Sequence, residues 1–301
     1  MYSSSMQNKH QEHPEDTILT GDLSAIDLLY NFTHASVKMD GAPAIVWGTD
    51  PATGTFFVGT KAVFNKQKIR IAHSHDEIDQ FYKEEVADIL HACYNFLPRT
   101  NRIIQGDFIG WGTGSVFTPN TITYKFPEFV KQKCIIAPHT EYFAENDLRD
   151  AIAEPLTDYF EHNIRVRWVQ PCVDWFLSPT TPKIDTTDVN FMDKRTSDCC
   201  KKIINAFVRE GKELTHELLT IVFDCPKLAS LYLTVIEMKE DLIDSFKITD
   251  CPKSYIGDLQ VKQEGFVISD DSGRMIKLVD REVFSMNNFN MPKRWESPNQ
   301  S

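Results

Sequence analysis

From residue 187 to 248 the chain reads as consecutive helices, and on both sides of that block it reads as short strands separated by turn residues. "SDCCKKIINAFVRE", "ELTHELLTIVF" and "PKLASLYLTVIEMKEDLIDSF" repeat their apolar residues at helical spacing. A change of period of this kind points to an α+β fold, with antiparallel sheets interrupted by a mostly helical insertion. The expected layout is a disordered leader at 1–20, a first core segment at 21–186, the helical insertion at 187–250, a second core segment at 251–289 and a polar tail at 290–301.

Within the first core segment, "DLSAIDLLYNF" (22–32) has helical spacing. "APAIVWG" and "TFFVGTKAVF" then read as strands joined by "TDPATG", whose Asp-Pro and Gly are turn chemistry. "SHDEIDQFYKEEVADILHACYNFL" (74–97) reads as one long helix, with Ser74 and Glu77 spaced as a capping box. "RIIQGDFIGWG" (102–112), "NTITYKF" (120–126) and "KCIIAP" (133–138) follow as strands. "NDLRDAIAEPLTDYF" reads as helix kinked at Pro155, and "IRVRWVQPCVDW" as a strand. In the second core segment, "EGFVISDDSGRMIKLVD" (264–280) is two strands around Asp-Asp-Ser-Gly, a hairpin signal.

The bulk numbers narrow the function classes. A chain of 301 residues, 42% apolar and 25% charged, has material for a real core. No run of about 18 apolar residues exists, so no membrane span is expected. The N-terminus is polar and lacks the apolar stretch of a secretory signal. The seven cysteines form no CxxC pair and suggest neither a disulfide framework nor a zinc site, which fits a reducing cytoplasm. A net charge of −11 disfavours non-specific nucleic-acid binding at long range. One local basic cluster runs against that balance: Lys61, Lys66, Lys68 and Arg70.

The chemistry centres on "HASVKMDGAPAIVWG" (34–48), where Lys38 stands alone in a charge-poor stretch before an Asp-Gly pair. An amine attacks phosphorus only when deprotonated, so a nucleophilic lysine needs desolvation or neighbouring positive charge. Gly41 lets the chain turn tightly beside a ligand. Lys38-Met39-Asp40-Gly41 is followed in order by Lys61 in "VGTKAVF", Gly106-Asp107-Phe108, the aromatic "TYKF", Glu264-Gly265-Phe266-Val267-Ile268 and "MIKLVD".

This series resembles the covalent nucleotidyltransferase superfamily of ATP-dependent DNA ligases, RNA ligases and mRNA capping enzymes. It is also similar to RNA-ligase-like proteins of tailed bacteriophages. The resemblance covers roughly 33–130 and 255–283. It implies a nucleotidyltransferase (ATP-grasp-like) core of antiparallel sheets. Lys38 would accept the nucleotide as a lysyl-AMP phosphoramidate. Lys61 would lie near the nucleotide and its phosphates, and Asp107 near the ribose. Phe126, with Tyr124 as alternative, would stack on the base. Glu264 would help place Mg²⁺ or Mn²⁺, and Lys277 would contact the α-phosphate. The implied activity is ATP-dependent (GTP the alternative), with AMP passed to the 5′-phosphate end of RNA or DNA in the cytoplasm. A DNA ligase, a capping-type guanylyltransferase or a catalytically inactive nucleotide- or nucleic-acid-binding protein are the alternatives.

Three departures stand out. Asp107 replaces the usual Glu. Met275 takes the place of the first of two fifth-motif lysines, with Arg274 adjacent as a compensating charge. After Lys277 the chain runs only to Ser301, which leaves no room for the C-terminal OB-fold of DNA ligases and capping enzymes.

Overall fold

The computed structural model describes residues 13–176 and 184–281. Helices α1 (Pro14–Thr17) and α2 (Ser24–Asn31) lead into β1 (His34–Lys38), then the hairpin β2 (Ala44–Thr49) and β3 (Phe56–Gly59). Helices α3 (His75–Phe81) and α4 (Glu84–Phe96) precede strands β4 (Ile103–Trp111), β5 (Gly114–Phe117), β6 (Thr123–Val130) and β7 (Cys134–Phe143). Short strands β8 (Ile152–Pro155), β9 (Val166–Trp168) and β10 (Cys172–Asp174) follow, then helices α5 (Lys194–Arg209), α6 (His216–Phe223) and α7 (Pro226–Ser245). The described chain closes with β11 (Lys247–Thr249), β12 (Lys253–Ile256), β13 (Leu259–Val261), β14 (Gly265–Ser269) and β15 (Met275–Leu278).

The fold is α+β with several antiparallel sheets. β1, β14 and β15 form a three-stranded sheet with β14 in the middle. β3-β2-β4-β7-β8 form the largest sheet, with β9 pairing β7 in parallel, and β13-β12-β6-β5 form a third. β10 and β11 make a separate pair. Two turn predictions are realised by local side-chain bonds. Asp50 Oδ1 accepts the Ala52 N–H in the β2–β3 turn, and Asp270 Oδ1 accepts the Ser272 and Arg274 N–H groups between β14 and β15.

Several local readings are corrected. The single helix at 74–97 is two, broken at Tyr82 and Lys83, whose backbones are extended. Ser74 does cap α3 by accepting the Glu77 N–H, but the Glu77 carboxylate reaches back to the His73 N–H. The segment around Pro155 is a 3-10 turn (Leu148–Asp150) and then edge strand β8, not a kinked helix. Proline is tolerated on a sheet edge, where its missing N–H faces no partner. The strand at 164–175 divides around Pro171 into β9 and β10, which join different sheets. Strand β1 alternates in burial, with Ala35 and Val37 inward, but at five residues with two small apolar side chains it carries too weak a signal to be read as a strand from sequence.

The leader reading is overturned for residues 13–20, while 1–12 and the tail beyond 281 lie outside the described residues. Ile18 and Leu19 are fully buried, and Glu15 is 0% exposed. Glu15 accepts from Lys239 Nζ of α7 at 2.8 Å and from Arg281 Nη1 at 3.3 Å. Asp16 accepts from Arg281 Nη1 at 3.0 Å and from the Tyr232 hydroxyl at 2.9 Å. The charged "PEDT" that reads as solvated is therefore held by cations more than 200 residues away.

The helical block is not a separable insertion either. One apolar core contains Leu28 of α2, Val37 of β1, Ile204 of α5, Leu219 of α6, Val235 of α7 and Ile268 and Leu278 of β14 and β15. α2 contacts β14 and β15, α1 contacts β15, and α7 packs against α1 and α2. A second core, with Trp47, Val58, Ile78, Leu90 and Ile136, lies between the large sheet and helices α3 and α4.

Burial of imidazoles gives this core a pH signature. Burial drives His13 down to about 2, and it also lowers His34. Below pH 6.5 the unfolded chain takes up protons that the native protein refuses, so stability falls as pH falls. The rise at Glu264 acts in the opposite sense, beginning nearer the carboxylate range. Denaturant midpoints at about pH 7.5 and 5.5 should show a loss on the order of 1 kcal/mol, and His13→Gln should reduce it.

Candidate functional site

Lys38 is the last residue of β1 and pairs with Gly265 at the start of β14. Ser36 lies opposite Val267, and Val267 lies opposite Lys277 on β15. Residues directly opposite in a sheet share a face, as do residues two apart in a strand. Lys38 and Lys277 therefore emerge on one face, on the two strands that flank β14. Burial agrees: Val37, Phe266, Ile268, Ile276 and Leu278 point into the core, while Ser36, Lys38, Val267 and Lys277 are half-buried on the other side.

Glu264, immediately before β14, meets the tip of Lys38. Lys38 Nζ donates to Glu264 Oε2 in an ion pair whose side chains are 34% and 22% exposed. Burial raises the Glu264 carboxyl above its ordinary value; Lys38 pulls it back, and the charges of Asp40 and Asp107 add to the rise. Those last two contributions place four sequence-predicted elements in one neighbourhood: Lys38, the Asp-Gly turn, Asp107 and Glu264.

Lys277 has no ion-pair or hydrogen-bond partner among the described residues. Burial lowers its ammonium pKa first, and the charges of Lys38 and Arg281 lower it further. The charges of Asp16 and Glu264 act in the opposite sense, but neither carboxylate is bonded to the ammonium, which leaves room beside it for a negatively charged group. A testable consequence follows. Lys277→Met should leave unfolding free energy within about 0.5 kcal/mol or raise it, because an uncompensated charge is removed. The same change should weaken triphosphate binding at least tenfold, read by titration calorimetry.

The turn after Lys38 is rigidly tied. The Asp40 carboxylate accepts from the Thr121 N–H at 3.0 Å, the Ile122 N–H at 3.2 Å and Asn120 Nδ2 at 3.0 Å. The Asp40 N–H donates to the Tyr124 hydroxyl at 2.5 Å. Gly41 crosses β4 so closely that a Cβ there would sit 2.6 Å from Asp107 Cβ and 2.8 Å from the Phe108 carbonyl oxygen. Glycine is needed here for close approach, and that approach draws β4 under the lysine. Asp40 thus anchors the turn, a role that the Lys-x-Asp-Gly spacing alone does not announce.

Asp107 sits on β4 opposite Ala44, with His139 Nε2 at 3.5 Å. In the sequence His139 stands out only by its spacing from Glu141, which is too common to mark a site; its neighbour on the sheet, Asp107, is 32 positions away in the chain. Lys61 lies in a 3-10 turn (Lys61–Phe64) just past β3, exposed and without an ion pair among the described residues. It is not in contact with Lys38 or Lys277 in this structure.

Two expected roles are not supported by the geometry. Phe126 is 4% exposed, packed edge-on to Phe117 at 5.6 Å within the main core, with Arg167 at 6.0 Å from its ring. Tyr124 is 1% exposed and committed to Asp40. β6 turns its aromatic face inward, so neither ring offers a free stacking surface. Arg274 does not replace the missing lysine at Met275, because its guanidinium is held by Asp27 at 2.9 Å and by Asp270 at 2.7 Å.

Among the described residues, no group of three or more His, Cys, Asp or Glu side chains is arranged to hold a metal ion. Glu264 and Asp107 remain as oxygen donors on the site. A hard cation such as Mg²⁺ keeps several waters and needs only one or two carboxylates when substrate phosphates complete its shell. The donor set fits a metal that arrives with a nucleotide.

Comparison with known families bears on the whole of this architecture. Residues 8–223 and 224–293 match a family of unknown function, DUF6267, and the chain belongs to that family. The match runs through the helices as well as the sheets, in keeping with their shared core. No curated protein and no solved structure matches the chain.

Proposed function

We propose that this protein is an ATP-dependent nucleotidyltransferase of the RNA-ligase-like kind, built on a nucleotidyltransferase core in which Lys38 carries AMP. One observation supports the reading above the others: β1, β14 and β15 align Lys38 on Glu264 and beside Lys277, a cation with no ion pair among the described residues. Phosphoryl chemistry asks for a positioned nucleophile and positive charge at the phosphorus, and this ribbon offers both.

In the proposed reaction the Lys38 amine attacks the α-phosphorus of ATP. A P–N bond forms as the bond to pyrophosphate breaks. Glu264 holds the amine in place and is the nearest acceptor for its proton; a carboxyl raised by burial takes a proton more readily than a free one. Lys277 balances the charge that develops on the α-phosphate. Glu264 and Asp107 would hold Mg²⁺ or Mn²⁺, which when bound supplies further neutralisation of the phosphates. GTP stands as the alternative donor. AMP then passes to a 5′-phosphate end, forming a 5′–5′ pyrophosphate and freeing the lysine.

The test is a chase. Protein labelled with radioactive AMP is freed of ATP and given 5′-phosphorylated RNA or DNA. Label should leave the protein and appear on the oligonucleotide, and the preferred polymer names the acceptor. Label that stays on the protein with every strand would show that the acceptor is something else.

A further inference from the structure

The longest stretch of the chain without an acidic residue surrounds the basic cluster. Between Asp50 and Asp76 there is no Asp or Glu, in a chain whose net charge is −11. Within that stretch Lys66, Lys68 and Arg70 are all exposed and none has an ion pair among the described residues. Surface lysines of an acidic protein ordinarily find carboxylates nearby, so three cations left unpaired in five residues form a local positive field.

The loop that carries them is built, not loose. Its base is closed by β-bridge bonds between Val58 and Ala72, at 2.9 and 3.1 Å. Its neck is stitched by one hydroxyl: Tyr82 Oη accepts the Thr60 N–H at 3.2 Å and donates to the Arg70 carbonyl at 2.9 Å. Inside, the Arg70 N–H donates to the Ala62 carbonyl at 3.2 Å, Asn65 Nδ2 donates to the Lys68 carbonyl at 3.3 Å, and Val63 plugs the interior at 0% exposure. Gly59 admits no side chain, since a Cβ would meet Val63 at 2.5 Å and the Arg70 carbonyl at 3.0 Å. Tyr82 does this work because the helix breaks there, which turns its ring toward the loop. The 3-10 turn at Leu148–Asp150 packs against the loop's own 3-10 turn, and its Asp147 is already paired with Arg149.

The register fixes where the loop leaves the sheet. Gly59 is opposite Val46, so the chain beyond it passes level with Ala44, the residue opposite Asp107. Ala44 is where the Lys38–Gly41 turn enters the same sheet. Loop and turn therefore share one end of the large sheet.

We propose that the Lys66–Arg70 loop is the docking surface for the phosphate backbone of the acceptor strand, a proposal that rests on the nucleotidyltransferase reading of the neighbouring site. Cations held on an ordered loop contact phosphates with little ordering cost and release counterions from the strand. A strand lying on this loop has its end at the edge of the sheet that carries Asp107.

The experiment uses the full chain and the variant Lys66→Glu/Lys68→Glu/Arg70→Glu, with Lys66→Ala/Lys68→Ala/Arg70→Ala as a milder second variant. Binding of a fluorescent 5′-phosphorylated RNA and its DNA counterpart is measured from about 50 to 200 mM salt. The wild type should bind with a steep salt dependence. The charge reversal should weaken binding at least tenfold, and the alanine variant should lower the log–log salt slope by about 2. Covalent labelling with AMP, which involves none of these side chains, should stay within twofold of wild type. Equal affinity and slope in all three proteins, no strand binding by the wild type, or a preference for anionic phosphatidylserine vesicles over the strand would each overturn the proposal. Absence of labelling in a wild type whose strand binding depends on the loop would sink the nucleotidyltransferase reading and leave a strand-docking surface standing.

Discussion

Lys38→Ala is expected to carry no nucleotide: incubated with ATP and Mg²⁺ and then denatured, it should retain at least about 10³-fold less label than wild type. Among the described residues no other side chain meets the three conditions together. Lys38 ends a strand, its amine is pinned by Glu264, and Lys277 rises on the same face. Lys61 is exposed and lies past β3 on the large sheet, not on that ribbon, and Lys277 is on the wrong side of β14 to replace Lys38 without moving the strand. The substitution is expected to be tolerated by the fold. The Lys38–Glu264 pair keeps contact with solvent, so its loss costs about 1 kcal/mol or less. Without Lys38, the Glu264 carboxyl rises further, since the charge that pulled it down is gone. Lys38→Arg keeps the charge and loses the label, because a guanidinium does not deprotonate. Full labelling of Lys38→Ala, mapped to another residue, would move the nucleophile elsewhere.

The largest stability effect lies under the site, not in it. Lys239→Met should destabilise the protein by about 3 kcal/mol or more in denaturant unfolding. Lys239 is 2% exposed and its partner Glu15 is 0% exposed, so removing the cation strands a carboxylate in the interior. Arg281 at 3.3 Å covers only part of the deficit, and Glu15 Oε2 has no hydrogen-bond partner even with Lys239 present. Lys239 and its neighbours hold Glu15 down to about 2, so this stabilisation is present above the ordinary carboxylate value of 4.5 and is lost as pH falls from there towards 2. The double variant Glu15→Leu/Lys239→Met should recover most of the loss, because a buried pair replaced by apolar groups of similar size is often neutral. A loss equal to the sum of the single variants would show that the two residues do not act as a pair. Because α7 supplies Lys239 and Tyr232 while α1 supplies Glu15 and Asp16, removing the helical block would unmake the network beside Lys277.

The reach of sequence reasoning can be traced residue by residue. The order of Lys38, Glu264 and Lys277 is legible because strand order and motif order coincide; the β14–β15 hairpin sets Lys277 opposite Val267, three residues along from Glu264. The three helices at 187–248 were legible because their period is sustained over many turns. Glu15 was not, since its partners are fixed only by tertiary packing and its local sequence looks like solvent-facing chain. Phe126 shows a different limit: alternation in "TYKFPEFV" says which residues share a face, but not which face is buried. The break at Tyr82 has no Gly or Pro to announce it; it is set by the bonds its hydroxyl makes to Thr60 and Arg70. β8 reads as helix in the sequence because a four-residue edge strand cannot be told from one helical turn by spacing.

Intact-mass spectrometry of the full chain after incubation with ATP or GTP and Mg²⁺ tests the central claim most directly. The account predicts a gain of one nucleoside monophosphate that is lost in acid, survives alkali and maps to the peptide containing Lys38. An unchanged mass with both nucleotides, or an adduct on any other residue, would contradict it.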